Sequence, residues 1–516
     1  MRRGLMSAAP DRRAAAAARK RSVPAKKTAA AKKAAPAKRA APAKPSAAAE
    51  PRPPRLTPAQ RAELGERARA KVPLAEHEQF GAGPGREDPV AILERQAQSR
   101  VPELVPVRYG RMLVSPFTFY RGAAAVMAED LAGTPVSGLT AQLCGDAHLS
   151  NFGLFASPER RLMFDVNDFD ETYPGPWEWD VKRLAASLEI AARENSFSRK
   201  ERRKIVTAAV RGYQKAMAGF AGMRNLDVWY ASADVEEVRS LLASHLNKTR
   251  KAMLKEGVAK AQAHDSLRAF RKLTETVDGQ RRIIADPPLI VPVADLLPGD
   301  LQSTFHAVMQ SLLARYRSTL QSDRRVLMES FELVDMARKV VGVGSVGTRC
   351  WIALFTGRDS DDPLFLQIKE AQRSVLEDVV QGGPSFANEG ERVVHGQRLM
   401  QAASDIFLGW ESAEGIDGQR RDFYIRQLAD WKGSVDIEQL VPTGLAMYGR
   451  LCGWTLARAH ARSGDSIAIA AYLGDDKTFA QAVAEFSALY ADQNEIDFAA
   501  LQQADRENRI TVELGL

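Results

Sequence analysis

Between Cys144 and Glu171 the chain reads CGDAHLSNFGLFASPERRLMFDVNDFDE, which sets carboxylates, an amide and an imidazole on both sides of a short apolar stretch. Asp146 is followed five positions later by Asn151, and Asp168 and Asp170 close the segment. GLFA and RLMFDV flank SPER, a turn sequence, so they are predicted to pair as a hairpin with Asn151 before one strand and Asp168 after the other. Asp146, Asn151 and Asp168 then converge. One carboxylate beside a hydroxyl, with separate oxygen ligands for a hard cation such as Mg²⁺, is what phosphoryl transfer demands. Taken singly, each of these residues serves equally well to cap a turn, and only their joint spacing points to chemistry.

A second group lies about two hundred residues downstream. Gly342, Gly344 and Gly347 in VVGVGSVGTRCWIALF spell G-x-G-x-x-G. A dinucleotide-binding turn needs a helix directly after the glycines, whereas CWIALF reads as a strand. A loop between two strands, its amides over phosphates, fits better, and a plain glycine-rich hairpin is the alternative. In PLFLQIKEA, Leu364, Leu366 and Ile368 face one way and Phe365, Gln367 and Lys369 the other. Lys369 resembles in its place the V-A-I-K lysine of protein kinases, which implies that it holds phosphates and has a carboxylate partner from a following helix, with Glu377 and Glu391 the candidates. DFYIRQLADWKGS supplies one further strand and a connecting segment.

Asp146, Asn151, a hairpin and a D-F-x triplet together resemble the catalytic loop and metal-binding triplet of protein kinases. G-D-x-H-x-x-N with FDVNDFD is still more similar to aminoglycoside and choline phosphotransferases. The resemblance implies Asp146 as catalytic base, His148 as a loop-stabilising or phosphate-side residue, Asn151 and Asp168 as Mg²⁺ ligands and Asp170 as an auxiliary carboxylate at the metal. Gly342, Gly344, Gly347 and Lys369 would hold the phosphates of ATP. Cys144 stands where those enzymes carry a histidine before G-D. Asp180, in WEWDVKRLA, reads as a helix N-cap, while the resemblance implies that it braces the loop.

The order along the chain is unusual for such an enzyme, because the glycine loop and lysine follow the catalytic loop. LCGWTLARAHARSGD, which resembles the helix leading into that loop, comes last. A circular permutation accounts for this, since domain termini tend to lie close together. SPFTFYRGAAAVMAEDLA, CGDAHLSNFG, DVNDFDE, PGPWEWDVKRLAAS, VVGVGSVGTRC, LQIKEA, ERVVHGQRLMQAASD and YIRQLADWKGS together resemble the uncharacterised bacterial family called domain of unknown function 2252, from about residue 80 to 500. That resemblance implies a kinase-like superfamily and no established substrate. Arg108, Arg111 and Arg121 lie upstream of the loop, and Arg121 in FYRG is the one expected to meet an anionic substrate.

The 516 residues allow roughly two to four lobes with cores of their own. The expected class is α+β, a two-lobed kinase-like fold. Residues 57–335 form a helical lobe carrying the catalytic loop, 336–440 a β-rich nucleotide lobe, and 441–516 helices returning to the first. LTPAQRAELGERARAKV begins as a surface helix at Thr57-Pro58, VPVRYGRMLVSPFTFYRGAAAVMAEDLAG holds a strand-like patch before a helix ending at Gly133, and 232–330 is mostly helical. Net charge is +8, but residues 1–56 hold 16 Lys and Arg against Asp11 and Glu50, leaving the remainder at −6. That Ala/Lys/Pro tail cannot bury enough apolar surface to order itself, and it would give at most weak, salt-sensitive contact with nucleic acid or another polyanion. Three scattered cysteines, Cys144, Cys350 and Cys452, suggest neither a disulfide framework nor a zinc site. With no apolar run of membrane-spanning length and no signal-like start, a cytoplasmic protein with no membrane contact is expected.

The expected activity is ATP- and Mg²⁺-dependent transfer to a hydroxyl acceptor, most simply a small molecule. Transfer of AMP, or nucleotide binding without turnover, are the alternatives. A metal-dependent phosphoesterase using the G-D-x-H segment with Asp165, Asp168 and Asp170 is the weaker one, for seven scattered histidines and no G-N-H supply few ligands.

Overall fold

Alternating apolar residues build a six-stranded antiparallel sheet in the computed structural model of the chain. Across the sheet the order is Gly409–Glu414, Arg420–Gln427, Pro363–Ala371, Cys350–Thr356, Glu332–Lys339 and Ile290–Pro292. The structure describes residues 56–516 except 84, 237–255, 257, 264, 265, 298, 416, 417, 429 and 516. The basic tail expected over 1–56 lies, apart from Leu56, outside these residues. The described architecture is mixed α+β, with three two-stranded sheets beside the larger one.

The alternation in PLFLQIKEA sorts as its period of two requires. Leu364, Leu366 and Ile368 pack with Tyr316, Met336, Ala353 and Phe355, under the helix Gly299–Thr319. Phe365 turns to the opposite face with Phe270, Leu273 and Ile283. Lys369 projects on that same side, paired in register with Cys350 and Tyr424.

Most helices surround a separate, larger core. Trp177–Glu194, Arg199–Ala221, Pro442–Ser463 and Thr478–Arg506 bury Trp177, Leu188, Tyr213, Leu456 and Phe479 together. Two of them cross at glycines. A Cβ on Gly453 would lie 2.3 Å from the Ala209 carbonyl oxygen, and one on Gly212 would lie 3.0 Å from that of Arg450. Only residues without a side chain let the backbones approach so closely.

The expected helix starts at Thr57-Pro58 and runs Pro58–Lys71 with most of its residues exposed, and Thr57 forms a capping box with Gln60. The strand-like patch expected after Val105 is instead two short helices, Val105–Met112 and Pro116–Gly122, while the helix expected to end at Gly133 forms as Ala124–Ala132. Pro106 and Pro116 sit in first turns, where a missing N–H costs nothing, and Ser115 caps the second helix. The region 232–330 also carries strands, including the hairpin Thr274–Val277 with Gln280–Ile283. Asp278 and Gly279 turn it, both at positive φ. Among the described residues no helix is long and apolar enough to cross a membrane, and the three cysteines are buried and unpaired.

His77 fastens the turn Leu74–Glu78 to the last helices, with Nε2 2.6 Å from the Tyr472 hydroxyl and its ring edge-on to Phe479. Burial, aided by the Lys182 ammonium, holds its pKa near 3 instead of 6.5. Protonation is therefore costlier in the folded chain, and the contribution of His77 is complete above pH 6.5 and lost progressively toward pH 3. The stability gap between wild type and His77→Phe, measured by urea unfolding, should narrow by up to about 1.4 kcal/mol per pH unit below 6.5. A gap constant from pH 7 to 5 would contradict a buried, neutral His77.

Candidate functional site

The hairpin forms as its sequence predicts, Phe152–Ala156 against Leu162–Val166 with Phe152 opposite Val166. Its open end brings the flanking segments together, and the Asn167 N–H donates to the Asn151 carbonyl at 2.8 Å. Gly145 has φ +80°, and a Cβ there would lie 2.1 Å from the Glu171 carbonyl oxygen, so the G-D step can hold no larger residue.

Two distant helices brace this loop. The Asp180 carboxylate accepts the N–H groups of Cys144 and Gly145 at 2.8 and 3.0 Å, and His460 Nε2 lies 3.2 Å away. Asp180 is thus not the N-cap expected from its local sequence. It sits inside the first turn of Trp177–Glu194, which Pro176 precedes without a side-chain cap, and it satisfies backbone donors that would otherwise be buried unpaired. Tyr448 donates to the carbonyls of Leu149 and Phe152 at 2.9 and 3.1 Å. Asp165, one carboxylate of the metal-pair alternative, is buried, with both its oxygens accepting from Arg458 Nη2 at 2.6 and 2.8 Å, and it also accepts the Ala402 N–H. The helix LCGWTLARAHARSGD therefore returns to the loop and the hairpin.

Asp146 accepts Arg183 Nε at 2.6 Å, and Asn151 Nδ2 donates to the Asp146 carbonyl at 2.8 Å. Burial raises the Asp146 pKa, against the opposing pull of Arg183 and Arg121. His148 Nε2 lies 3.6 Å from the same carboxylate, and Nδ1 accepts the Ser150 N–H at 3.2 Å. Burial, together with Arg121 and Arg183, pushes the His148 pKa well down, so the imidazole is neutral with its proton on Nε2, facing Asp146.

The second group of residues meets the first. Lys369 Nζ bonds the Asp170 carboxylate and lies 3.9 Å from Asp168. The Tyr424 hydroxyl donates to Asp170 at 2.8 Å and Ser345 Oγ approaches it at 3.3 Å. Burial alone would raise Asp170, but Lys369 and Tyr424 outweigh it and hold the carboxylate below its usual range. Burial and the Asp170 charge raise Asp168. Despite burial, the two carboxylates raise Lys369 well above its ordinary value, so the ammonium stays charged.

Glu377 and Glu391 are not the carboxylate partners of Lys369. Glu377 bonds Arg373 at 2.9 Å and Glu391 lies 3.8 Å from His395, because the turn after the lysine strand directs both elsewhere. The helix Glu389–Met400 contributes Arg392 instead, which donates to the carbonyls of Thr172, Asp170 and Gln372 and to Glu389. It ties the acidic segment to the end of the lysine strand.

A cavity of about 120 Å³ lies where these elements meet. Asp146, His148, Asn151, Asp168, Asp170 and Arg121 line it, and so do Gly342, Gly344 and Ser345. Gly342, at φ +69°, leaves its carbonyl to Arg111, and a Cβ on Gly344 would lie 3.1 Å from the Arg121 carbonyl oxygen. Gly347, at φ +90°, packs on the Arg100 side chain outside the cavity lining. Arg183, Arg392, Tyr424 and Arg100 were not singled out in the sequence, where each looks like an ordinary helix or strand residue.

The model of the family described as "Uncharacterized protein conserved in bacteria (DUF2252)" matches residues 100–504, and the chain belongs to that family. Searches of curated proteins and of solved structures return no significant match.

Removing Arg183 leaves the Asp146 charge without its buried counter-ion. Arg183→Leu should destabilise the fold by about 3 kcal/mol in urea unfolding, the low end for breaking a buried pair because Asp146 keeps a solvent-facing edge. A loss below about 1 kcal/mol would mean that the pair behaves as a surface contact.

Proposed function

We propose that this family member is an ATP- and Mg²⁺-dependent phosphotransferase of circularly permuted, kinase-like fold that acts on the hydroxyl of a small molecule. The observation that carries the reading is the meeting of Lys369 with Asp168 and Asp170, two carboxylates that line one cavity with Gly342, Gly344, Asp146 and Asn151. The succession of elements also supports it. A glycine turn joins two strands, the lysine is on the next strand, a helix follows, and two more strands complete the sheet, as the glycine loop and lysine of kinases would require.

In this reading the acceptor hydroxyl lies beside Asp146. Its oxygen bonds to the γ-phosphorus, the bond from that phosphorus to the β–γ bridging oxygen breaks, the hydroxyl proton passes to the Asp146 carboxylate, and ADP leaves. Arg183 fixes the carboxylate, and the neutral imidazole of His148 holds its other edge. Lys369 and the amides of the glycine turn hold the phosphates, so that positioning and charge neutralisation supply most of the acceleration.

Among the described residues no cluster of three or more His, Cys, Asp or Glu side chains is placed to hold a metal alone. The donors Asn151, Asp168 and Asp170 are all oxygens, which suits Mg²⁺ in its usual role, held by one or two carboxylates and the phosphates of a substrate. When bound there it would offset charge on the β- and γ-phosphate oxygens. Such a reaction belongs in the ATP-supplied cytoplasm, and the basic tail would add weak polyanion contact.

The test is transfer of label from γ-labelled ATP to a small-molecule extract in the presence of Mg²⁺. Wild type should yield ADP and one labelled product. Asp146→Asn should lose at least about 100-fold in rate while remaining folded, though less stable than wild type because Arg183 loses its counter-ion, and Lys369→Met should also lose transfer. Pyrophosphate release would point to nucleotidyl transfer, binding without turnover to a nucleotide-holding module, and nucleotide-independent ester cleavage to a phosphoesterase. Full activity in Asp146→Asn would remove the proposal.

A further inference from the structure

Three arginines of the helical part line the same cavity: Arg100, Arg108 and Arg121. Arg108 is fully buried and Arg100 nearly so, at 8% exposure. Elsewhere in the molecule a buried arginine meets a carboxylate, as Arg183 meets Asp146, Arg458 meets Asp165 and Arg392 meets Glu389. Among the described residues these three have no carboxylate at ion-pair distance. Arg100 donates to the Val346 carbonyl, and Arg108 to those of Leu93 and Gly122 and to the Gln96 side chain. The Nε of each is buried with no hydrogen-bond partner. Burial lowers all three pKa values, that of Arg100 to about 10, and Arg100 lowers Arg108 further. Asp170, Glu171 and Glu370 offset part of the Arg100 charge and Asp146 part of that of Arg121, but among the described residues no carboxylate bonds any of the three, which leaves guanidinium donors to an anion entering the cavity.

Arg100 lies against the glycine turn, at Val346 and Gly347, while the carboxylate that acts on Arg121 is Asp146. Lys369 bonds Asp170 and lies 3.9 Å from Asp168, at the carboxylate end proposed for the nucleotide. Arg121 acts on Asp146 and His148, at the end proposed for the acceptor. A guanidinium also offers phosphate or carboxylate a planar, two-pronged donor.

We propose that the acceptor is itself an anion, a hydroxyl compound bearing a phosphate or carboxylate group, and that Arg100, Arg108 and Arg121 hold this group while the hydroxyl lies at Asp146. This rests on the phosphotransferase reading. It restricts the substrate class to phosphorylated or carboxylated alcohols, and the arginines act by binding and orientation.

Calorimetric titration of the full chain tests it, with inorganic phosphate as one probe and the Mg²⁺ complex of the β,γ-imido analogue of ATP as the other. Wild type should bind both together, with phosphate affinity changed less than about threefold by the analogue. Arg121→Gln and Arg100→Gln should weaken phosphate at least about tenfold and leave the analogue within about threefold, and Asp168→Asn should do the reverse. If Arg100→Gln does not fold, Arg121→Gln at the cavity edge decides, with Arg121→Lys expected to recover part of the affinity. Displacement of phosphate by the analogue would assign the arginines to the nucleotide and overturn the proposal, as would absence of phosphate binding by folded wild type. Phosphate binding that needs the arginines, without any analogue binding, would retain the anion site and remove the phosphotransferase reading.

Discussion

A lysine ammonium buried to 3% exposure has to be neutralised, and everything around the cleft follows from how Lys369 meets that demand. Its carboxylates, Asp168 and Asp170, come from a segment two hundred residues earlier in the chain. An unpaired ammonium at this depth would lose its proton or unfold its surroundings. The lysine strand and the acidic hairpin end are therefore held within a few ångströms of one another. Arg392 fixes the backbone on both sides of the junction, and Tyr424, paired in register beside Lys369, completes the shell of Asp170.

The same economy of charge orders the rest of the site. Asp146 is matched by Arg183, Asp165 by Arg458, and the loop amides at Cys144 and Gly145 by Asp180. Each of these pairs fixes backbone that would otherwise be free to move. The arginine wall is the exception, having no such match. In the proposed reaction, nucleotide phosphates would compete with Asp170 for Lys369, and the cation accompanying them would take over the freed carboxylates. One exchange of ionic partners would then convert a structural ion pair into a working site.

Those parts of the fold that depend on local periodicity were legible in the sequence. The hairpin around SPER, the alternation in PLFLQIKEA and the helix start at Thr57-Pro58 each follow from neighbours within a few residues. The patch around Val105 misleads because valine and tyrosine favour strands, and the prolines that start helices there carry the opposite signal. The hairpin at Asp278-Gly279 had a turn signature, overlooked inside a segment dominated by helical spacing. Partnerships across the chain were hidden. Asp180 reads as a cap until its helix is set against Cys144, and no local pattern distinguishes Arg183 or Arg392 from a surface cation. Sequence order offered Glu377 and Glu391 as partners of Lys369, whereas the fold brings Asp170, from another part of the chain, directly to it.

The most direct test of the central claim is a crystal structure of the full chain with Mg²⁺ and the β,γ-imido analogue of ATP. The account predicts phosphates beneath Gly342 to Ser345, the metal on Asp168, and Lys369 Nζ moved from Asp170 to within about 3 Å of a phosphate oxygen. An analogue bound away from the cleft at saturating concentration, with the Lys369–Asp170 pair intact, would contradict it.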